Sequence, residues 1–415
     1  MINLRSDTVT KPTDAMRRAM AEAEVGDDYY REDPTVIALE EKAADLFDKE
    51  SAMLVFSATM ANVVSVLAQT KRGQSIVLEA LSHIYNNEGG FLSAFGGLTP
   101  RTVKGHRGRM TPEQVESAVF PRAVLHPQTS LLCLENTHNK AGGRLLPQDL
   151  VVEIAREAHA RDLRVHLDGA RLWHTHVATG MPLAELCAPV DSVSVCFSKA
   201  LGAPVGSVLA ADRETIVRAH RFRKIFGGAM RQVGILAGAC RYALEHHLGR
   251  LIEDHAAASR LAAGLDHPDL KVNHPVDTNI VIIDVADRGD EALLAHLEEN
   301  GVLAVGFGTG RVRMMPSLET TAADVERALA RIEAWRREAD PIIAWANGVK
   351  DAGVDLPIHI GIAGPAKLQT LIKFAVACGV GPSLKVLQKR AMDVTKLVLP
   401  YEPTDVVSEL AAYKA

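Results

Sequence analysis

The residues best suited to chemistry are a lysine and an aspartate, each at the end of an apolar run. The first run, Val193-Ser194-Val195-Cys196-Phe197, ends in Ser198-Lys199 and then breaks into Ala200-Leu201-Gly202-Ala203-Pro204-Val205-Gly206. That pattern predicts a buried strand delivering one amine to the loop at its end. An amine partly withdrawn from water at such an edge is placed to attack a carbonyl. The second run, through His166-Leu167, ends in Asp168-Gly169-Ala170-Arg171. The separation is 199 − 168 = 31 residues, about the length of one strand-to-strand crossover. A Schiff-base lysine with an aspartate for a pyridinium nitrogen is the pairing that pyridoxal 5'-phosphate (PLP) requires. Either residue alone is an ordinary polar group at a strand end. The pair at this spacing, with a glycine close behind each, favours the cofactor.

Other residues gain meaning beside that pair. Met53-Leu54-Val55-Phe56 reads as a short strand leading into Ser57-Ala58-Thr59 and a helix to about Gln69. Ser57 and Thr59 suit an ordinary N-cap, and the free amides of a helix start, including Ala58 and Thr59, also suit a phosphate. His83 follows a predicted strand at 75–80; it reads as a surface histidine or as a ring lying on the pyridine and carrying protons. His126 lies just before the strand predicted over 130–139, which ends in polar residues. Gly26–Thr35 is an acidic loop capping a helix predicted over 36–47, and its Tyr29 and Tyr30 also suit an active-site rim. In 221–232 a basic cluster around Gly227-Gly228 reads as a helix C-cap or as further phosphate contacts from Lys224 and Arg231. Arg313, on Arg311-Val312-Arg313, is placed to face the site.

These side chains need a scaffold, and the chain is long enough for one. Its 415 residues predict two or three domains. It is 47% hydrophobic and 23% charged, with net charge −5, the balance of a soluble globular protein without the basic excess of a nucleic-acid binder. No apolar run reaches membrane-spanning length and the start lacks an apolar leader core. Five scattered cysteines (133, 187, 196, 240 and 378) form no regular frame and read as reduced thiols of a cytoplasmic protein. The alternation of strands and helices through 53–210 predicts an α/β fold with a mostly parallel sheet, its ligands at the carboxyl ends of the strands. Residues 5–12 are too polar for a core strand. Helical runs follow at 148–160 and up to about 265. Residues 266–338 predict a small α+β domain: strands at 279–285, 302–305 and 312–315, helices at 291–299 and 322–337.

Taken together, LRSDTVT, GDDYYREDPT, SATMAN, SHIYNNEGG, LENTHN, HLDGAR, FSKALGAPVGS and RKIFGGAMRQ resemble the L-threonine aldolase family of fold-type-I, aminotransferase-like PLP enzymes, over residues 1–338. The resemblance implies a large PLP domain at 1–265, a small domain at 266–338, and retro-aldol cleavage of L-threonine or L-allo-threonine to glycine and an aldehyde. It implies that Lys199 binds the cofactor covalently, Asp168 holds its ring nitrogen, His83 stacks on the ring, and Ala58 and Thr59 bind phosphate. Ser6, Arg171 and Arg313 then hold the substrate carboxylate, Tyr30 lies at the substrate, and His126 lies near the β-hydroxyl. Arg231 and Lys224 reach a neighbouring subunit's phosphate, in a homodimer or homotetramer. His83, His126 or a water between them takes the hydroxyl proton. The resemblance implies no metal. Three residues depart from the family's pattern: Ala58 and Arg31 where glycine is usual, and Asn87 where an aromatic residue is frequent.

Residues 341–415 stand apart. Leu356-Pro357-Ile358-His359-Ile360-Gly361-Ile362-Ala363-Gly364-Pro365 and the helix-like runs after it resemble the C-terminal end of a methylenetetrahydrofolate reductase-like barrel. A quarter of a barrel cannot close, so this α/β tail is expected to be a remnant or a docking module. A β-eliminating PLP lyase and a non-catalytic scaffold presenting the tail are the competing functions.

Overall fold

Short apolar runs bounded by glycine, proline and polar residues become the strands of one seven-stranded sheet. In the computed structural model, which describes residues 1–273, 275–336 and 340–351, these are β1 (Ser51–Val55), β2 (Ser75–Glu79), β3 (Thr99–Val103), β4 (Thr129–Glu135), β5 (Arg164–Gly169), β6 (Ser192–Cys196) and β7 (Ser207–Ala211). They lie in the order β1-β7-β6-β5-β4-β2-β3. The pairs from β6 through β3 are parallel, whereas β7 runs against both β6 and β1. Only residues 197–206 join β6 to β7, too few for the dozen or more that a parallel crossover needs. The expected mostly parallel sheet is present, with this one reversal.

The sheet is covered on both faces, and the side-chain alternation of a strand distributes its residues between them. On β1, Ala52 and Leu54 join the core that holds Phe47, Trp173 and Phe197. Met53 and Val55 join the opposite core, with Val64 of the helix Ala58–Gln69 and Ile216 of the helix Arg213–Ile225. Phe47 and Phe197 are fully buried, and truncating such a residue to alanine costs about 3–5 kcal/mol. The helix expected over 36–47 starts two residues earlier, at Pro34. The Asp33 side chain accepts from the Val36 amide at 3.0 Å, and proline's fixed φ suits the first helical turn. The helix 148–160 appears as Gln148–His159, and the stretch up to 265 as two helices, Gly234–His246 and Leu251–Ala263.

A second, antiparallel sheet joins β8 (Leu270–Val272), β9 (Val281–Val285), β10 (Val305–Gly306) and β11 (Arg311–Met314) in the order β10-β11-β9-β8, with the helix Ala322–Glu333 following. The strand expected over 302–305 is split, because Val302–Leu303 pairs in parallel with Ile2–Asn3 instead. The chain start is thereby tied to this region, and Asp7, in a segment too polar for a core strand, is fully buried beside it. Both sheets belong to one compact unit, Met1–Val285 with Leu294–Glu333. A second unit comprises Ala286–Leu293 and, among the described residues, the stretch from Ala334 that contains the helix Asp340–Asp351. The expectations for 352–415 lie outside the described residues.

Candidate active site

The carboxyl ends of β2, β4, β5 and β6 gather polar side chains that would be costly to bury without partners. Asp168, the penultimate residue of β5, is 2% exposed. Its Oδ1 accepts from the Ala170 amide at 3.1 Å and its Oδ2 from Asn62 Nδ2 at 2.9 Å. Asn62 projects from the helix Ala58–Gln69, and its Oδ1 accepts from Ser194 Oγ of β6 at 2.7 Å. The same Asn62 amide donates to Glu88 Oε1 at 2.7 Å, and that oxygen lies 3.0 Å from His83 Nδ1. Glu88 Oε2 is buried without a partner. One ligand-type atom from each of His83, Glu88 and Asp168 falls within 4.8 Å of the others.

This cluster sets its own protonation. Burial raises the Glu88 carboxyl above the usual carboxylate range, and the Asp168 charge adds to it. Burial alone would lower His83, but the Glu88 hydrogen bond and the charges of Asp168, Glu88 and Glu135 outweigh it and raise the imidazole. The His83 backbone is anchored as well, its amide donating to Glu135 Oε2 at 2.7 Å. A carboxyl that resists ionising beside an imidazole of raised proton affinity is suited to moving a proton near neutral pH, the neutral imidazole accepting it.

Lys199 sits in the turn between β6 and β7. Its carbonyl accepts from Thr10 Oγ1 and from the Gly202 amide, both at 2.9 Å. Gly202 has φ +79°, and a Cβ there would stand 2.9 Å from Leu318 Cδ2, so this turn requires glycine. At the helix Ala58–Gln69, Ser57 is the N-cap and its Oγ accepts from the Met60 amide at 3.1 Å. The amides of Ala58 and Thr59 have no acceptor inside their helix. Ala58 is already helical, a conformation that alanine takes without strain.

A second group lies around the chain start. Asp7 is fully buried and pairs side-on with Arg171, Nε to Oδ2 at 2.8 Å and Nη2 to Oδ1 at 2.7 Å. Burial would raise its carboxyl, but Arg171 overrides this and holds it far below the usual range. Asn139 Oδ1 receives Arg171 Nη1 at 3.4 Å and Arg313 Nη1 at 3.3 Å. Arg313 reaches it from β11, and burial followed by the Arg171 charge brings its guanidinium down to about 10. Ser6 caps the short turn of helix Asp7–Val9 beside these groups.

Other residues named from the sequence lie elsewhere in the chain. Lys224 and Arg231 gather on the Tyr29 ring, 5.5 and 5.3 Å from its centroid. Arg231 also pairs with Asp27 at 3.2 Å, and no bond joins either cation to Lys199, Asp168 or His83 among the described residues. Tyr30 is largely exposed and meets Tyr29 edge to face at 5.1 Å. Asn87 is exposed and caps the short helix His83–Asn86. His126 is the correction. It stacks on Phe120 at 5.3 Å and precedes the amino end of β4, whereas the Asp168 cluster lies at the carboxyl ends. Seven residues at about 3.3 Å each separate those two edges, so within one chain His126 does not reach the site. Asn62, Glu88, Glu135, Asp7 and Asn139 were not singled out from the sequence, although each lies inside a quoted segment.

The arrangement fits PLP: a buried carboxylate for a cationic ring nitrogen, an amine one strand over, free helix amides for phosphate, and an imidazole at the same strand ends. Residues 3–288 match the beta-eliminating lyase family. Low-specificity L-threonine aldolase 1 of Arabidopsis thaliana is 41% identical over 338 residues, 79% of this chain and 94% of that protein. The low specificity L-threonine aldolase of Escherichia coli strain K12 is 40% identical over 304 residues, 73% and 90% of the two chains. In three dimensions a threonine aldolase of Leishmania major superposes with a TM-score of 0.70 at 19% identity, covering 80% of this chain and 98% of that one. With its fold, its PLP-suited residues and these likenesses together, the chain belongs to the L-threonine aldolase family of PLP-dependent beta-eliminating lyases.

Proposed function

We propose that the Asp168–Asn62–Glu88–His83 chain and Lys199 carry out retro-aldol cleavage of L-threonine and L-allo-threonine to glycine and acetaldehyde, with the Arg171–Arg313 pair holding the substrate carboxylate. The observation that carries this reading is the connected run of hydrogen bonds from buried Asp168, Asn62 and Glu88 to the half-buried His83. When bound, PLP supplies an electron sink next to the substrate Cα. Asp168 keeps that sink strong by holding a proton on the ring nitrogen. Lys199 anchors the cofactor, and Ser57, Ala58 and Thr59 offer it the helix start. His83, oriented through Nδ1 by Glu88, takes the β-hydroxyl proton at Nε2 as Cα–Cβ breaks. Arg171 and Arg313 present fork-shaped donors suited to a carboxylate, with Ser6 beside them.

The assignment extends to the assembly. Lys224, Arg231 and Tyr30 lie around an exposed loop and are proposed to complete a partner subunit's site in a homodimer or homotetramer, where His126 also has room to act. We place the protein in the cytoplasm, a reading supported by four buried free cysteines. We further propose the domain division 1–265, 266–338 and 341–415, and that the tail is a barrel remnant.

The test is product analysis with both diastereomers, for wild type and Lys199→Ala. Glycine and aldehyde in equal amounts, lost in the variant, are expected. Ammonia and an α-keto acid instead would establish β-elimination, the reading that the name of the matched family keeps open. Full turnover by Lys199→Ala would remove the lysine from its role.

A further inference from the structure

Arg171 does not face its substrate alone. Its Nε–Nη2 edge is taken by Asp7 in two bonds of 2.8 and 2.7 Å, both partners being buried. Asn279 Nδ2 stands 3.5 Å from Asp7 Oδ2, so the carboxylate is itself held in place. What remains of Arg171 is Nη1, which points with Arg313 Nη1 at one oxygen, Asn139 Oδ1. At 3.4 and 3.3 Å both contacts are long, and a neutral amide oxygen is a weak partner for two guanidinium groups. Among the described residues Arg313 is otherwise committed to the Arg5 carbonyl at 3.1 Å and to the Phe307 ring. It has no carboxylate partner among the described residues.

The charges fit a single carboxylate. Asp7 cancels Arg171, which leaves Arg313 as the uncompensated cation, and one negative group completes the site. We propose that Asp7 is a positioning residue for the reaction: it fixes Arg171 so that Nη1 converges with Arg313 Nη1, and the substrate carboxylate takes the place that Asn139 Oδ1 holds between them. This rests on the reading of Arg171 and Arg313 given above. Without Asp7, Arg171 keeps its charge but loses its orientation, and two cations repel each other across the site. The loss falls chiefly on ligands that carry a carboxylate, because the Asp7 side chain bonds to Arg171 and Asn279, while only its charge reaches Lys199.

The experiment uses the PLP-loaded enzyme and two ligands, glycine and 1-amino-2-propanol, the latter being threonine without its carboxylate. Asp7→Asn is expected to weaken glycine by on the order of 10-fold or more, the scale of a charge-assisted hydrogen bond. KM for threonine should rise in parallel while kcat changes little, and 1-amino-2-propanol should bind as before. A purely structural role would weaken both ligands alike or neither, and either result overturns the proposal. Since Asp7→Asn leaves Arg171 buried without its counter-charge, folding is at risk. Asp7→Glu keeps the charge and shifts it by one methylene, and the same carboxylate-selective loss in smaller measure is expected; its absence overturns the proposal equally. Arg313→Ala separates the two levels. Unchanged glycine affinity there would refute the carboxylate site itself, whereas weaker binding there with no effect of the Asp7 variants would refute only the part given to Asp7.

Discussion

Glu40→Gln tests whether one buried carboxyl sets how stability varies with pH. Glu40 is 3% exposed in the helix Pro34–Phe47, and its Oε1 accepts from the Leu54 amide at 2.9 Å. Its Oε2 lies 3.2 Å from Arg31 Nη1, without hydrogen-bond geometry. Arg31 occupies a left-handed position, φ 62° and ψ 40°, which explains why glycine is usual there. Burial pushes Glu40 up to about 7 from 4.5, against the pull of the Leu54 bond and Arg31. Between those values the folded chain holds a proton that the unfolded chain has released. Stability therefore falls as pH rises through this window and levels off above about 7, by roughly 3 kcal/mol in all. Glutamine keeps the acceptor for Leu54 and never ionises. The pull of Arg31 is already contained in the raised value, so Glu40→Gln should stabilise by about 3 kcal/mol at pH 8 and be near neutral at pH 5. Urea titrations of the PLP-loaded protein at both pH values read this directly. Equal effects at the two pH values, or a larger gain at pH 5, would refute the argument.

Asp168→Asn keeps the shape of the site but removes the charge proposed to hold the ring nitrogen's proton. Turnover should fall by on the order of 10²-fold or more, the scale of breaking a buried ion pair, with retained cofactor absorbance confirming a loaded site. Arg231→Ala should release PLP more readily, and mixing it with Lys199→Ala should restore some turnover through hybrid sites. No recovery despite demonstrated subunit exchange would assign the contact to a single chain. Truncation after residue 338 should leave kinetics near wild type, since every residue named for the site lies at or before Arg313. Loss of most turnover with PLP bound and the assembly unchanged would show that the tail completes the site.

The sheet was legible because strands covered on both faces read as short, mainly apolar runs: all five residues of the parallel β2 and β6, and of the reversed β7, are buried. Glycine, proline and polar residues marked where those runs stop, and Asp168 and Lys199 lie at those strand ends. Less legible was anything set by a partner distant in sequence. Residues 302–305 look like one strand, yet Ile2–Asn3 captures Val302–Leu303 and divides it. The reversal of β7 was likewise hidden, since an apolar run carries no direction. The left-handed turn at Arg31 was visible only as a departure, and the atoms that accommodate it, on Glu40 and His220, lie outside its loop.

The site shows the same division more sharply. Lys199, Asp168 and Arg171 announce themselves because each ends an apolar run and has no hydrophobic reason to be there. Asn62, Glu88 and Asp7 do not, because each lies in a stretch that polarity alone assigns to a helix cap or a surface loop. Their burial is affordable only through partners 26 to 164 residues away: Asn62 with Glu88, Asn62 with Asp168, Asp7 with Arg171. An unpaired carboxylate in such a place would cost several kcal/mol, so each presupposes the assembled sheet. His126 shows the converse. It stands three residues before a strand, as an active-site histidine can, but before the wrong end, and the direction of β4 alone decides that it faces away from the chemistry of its own chain.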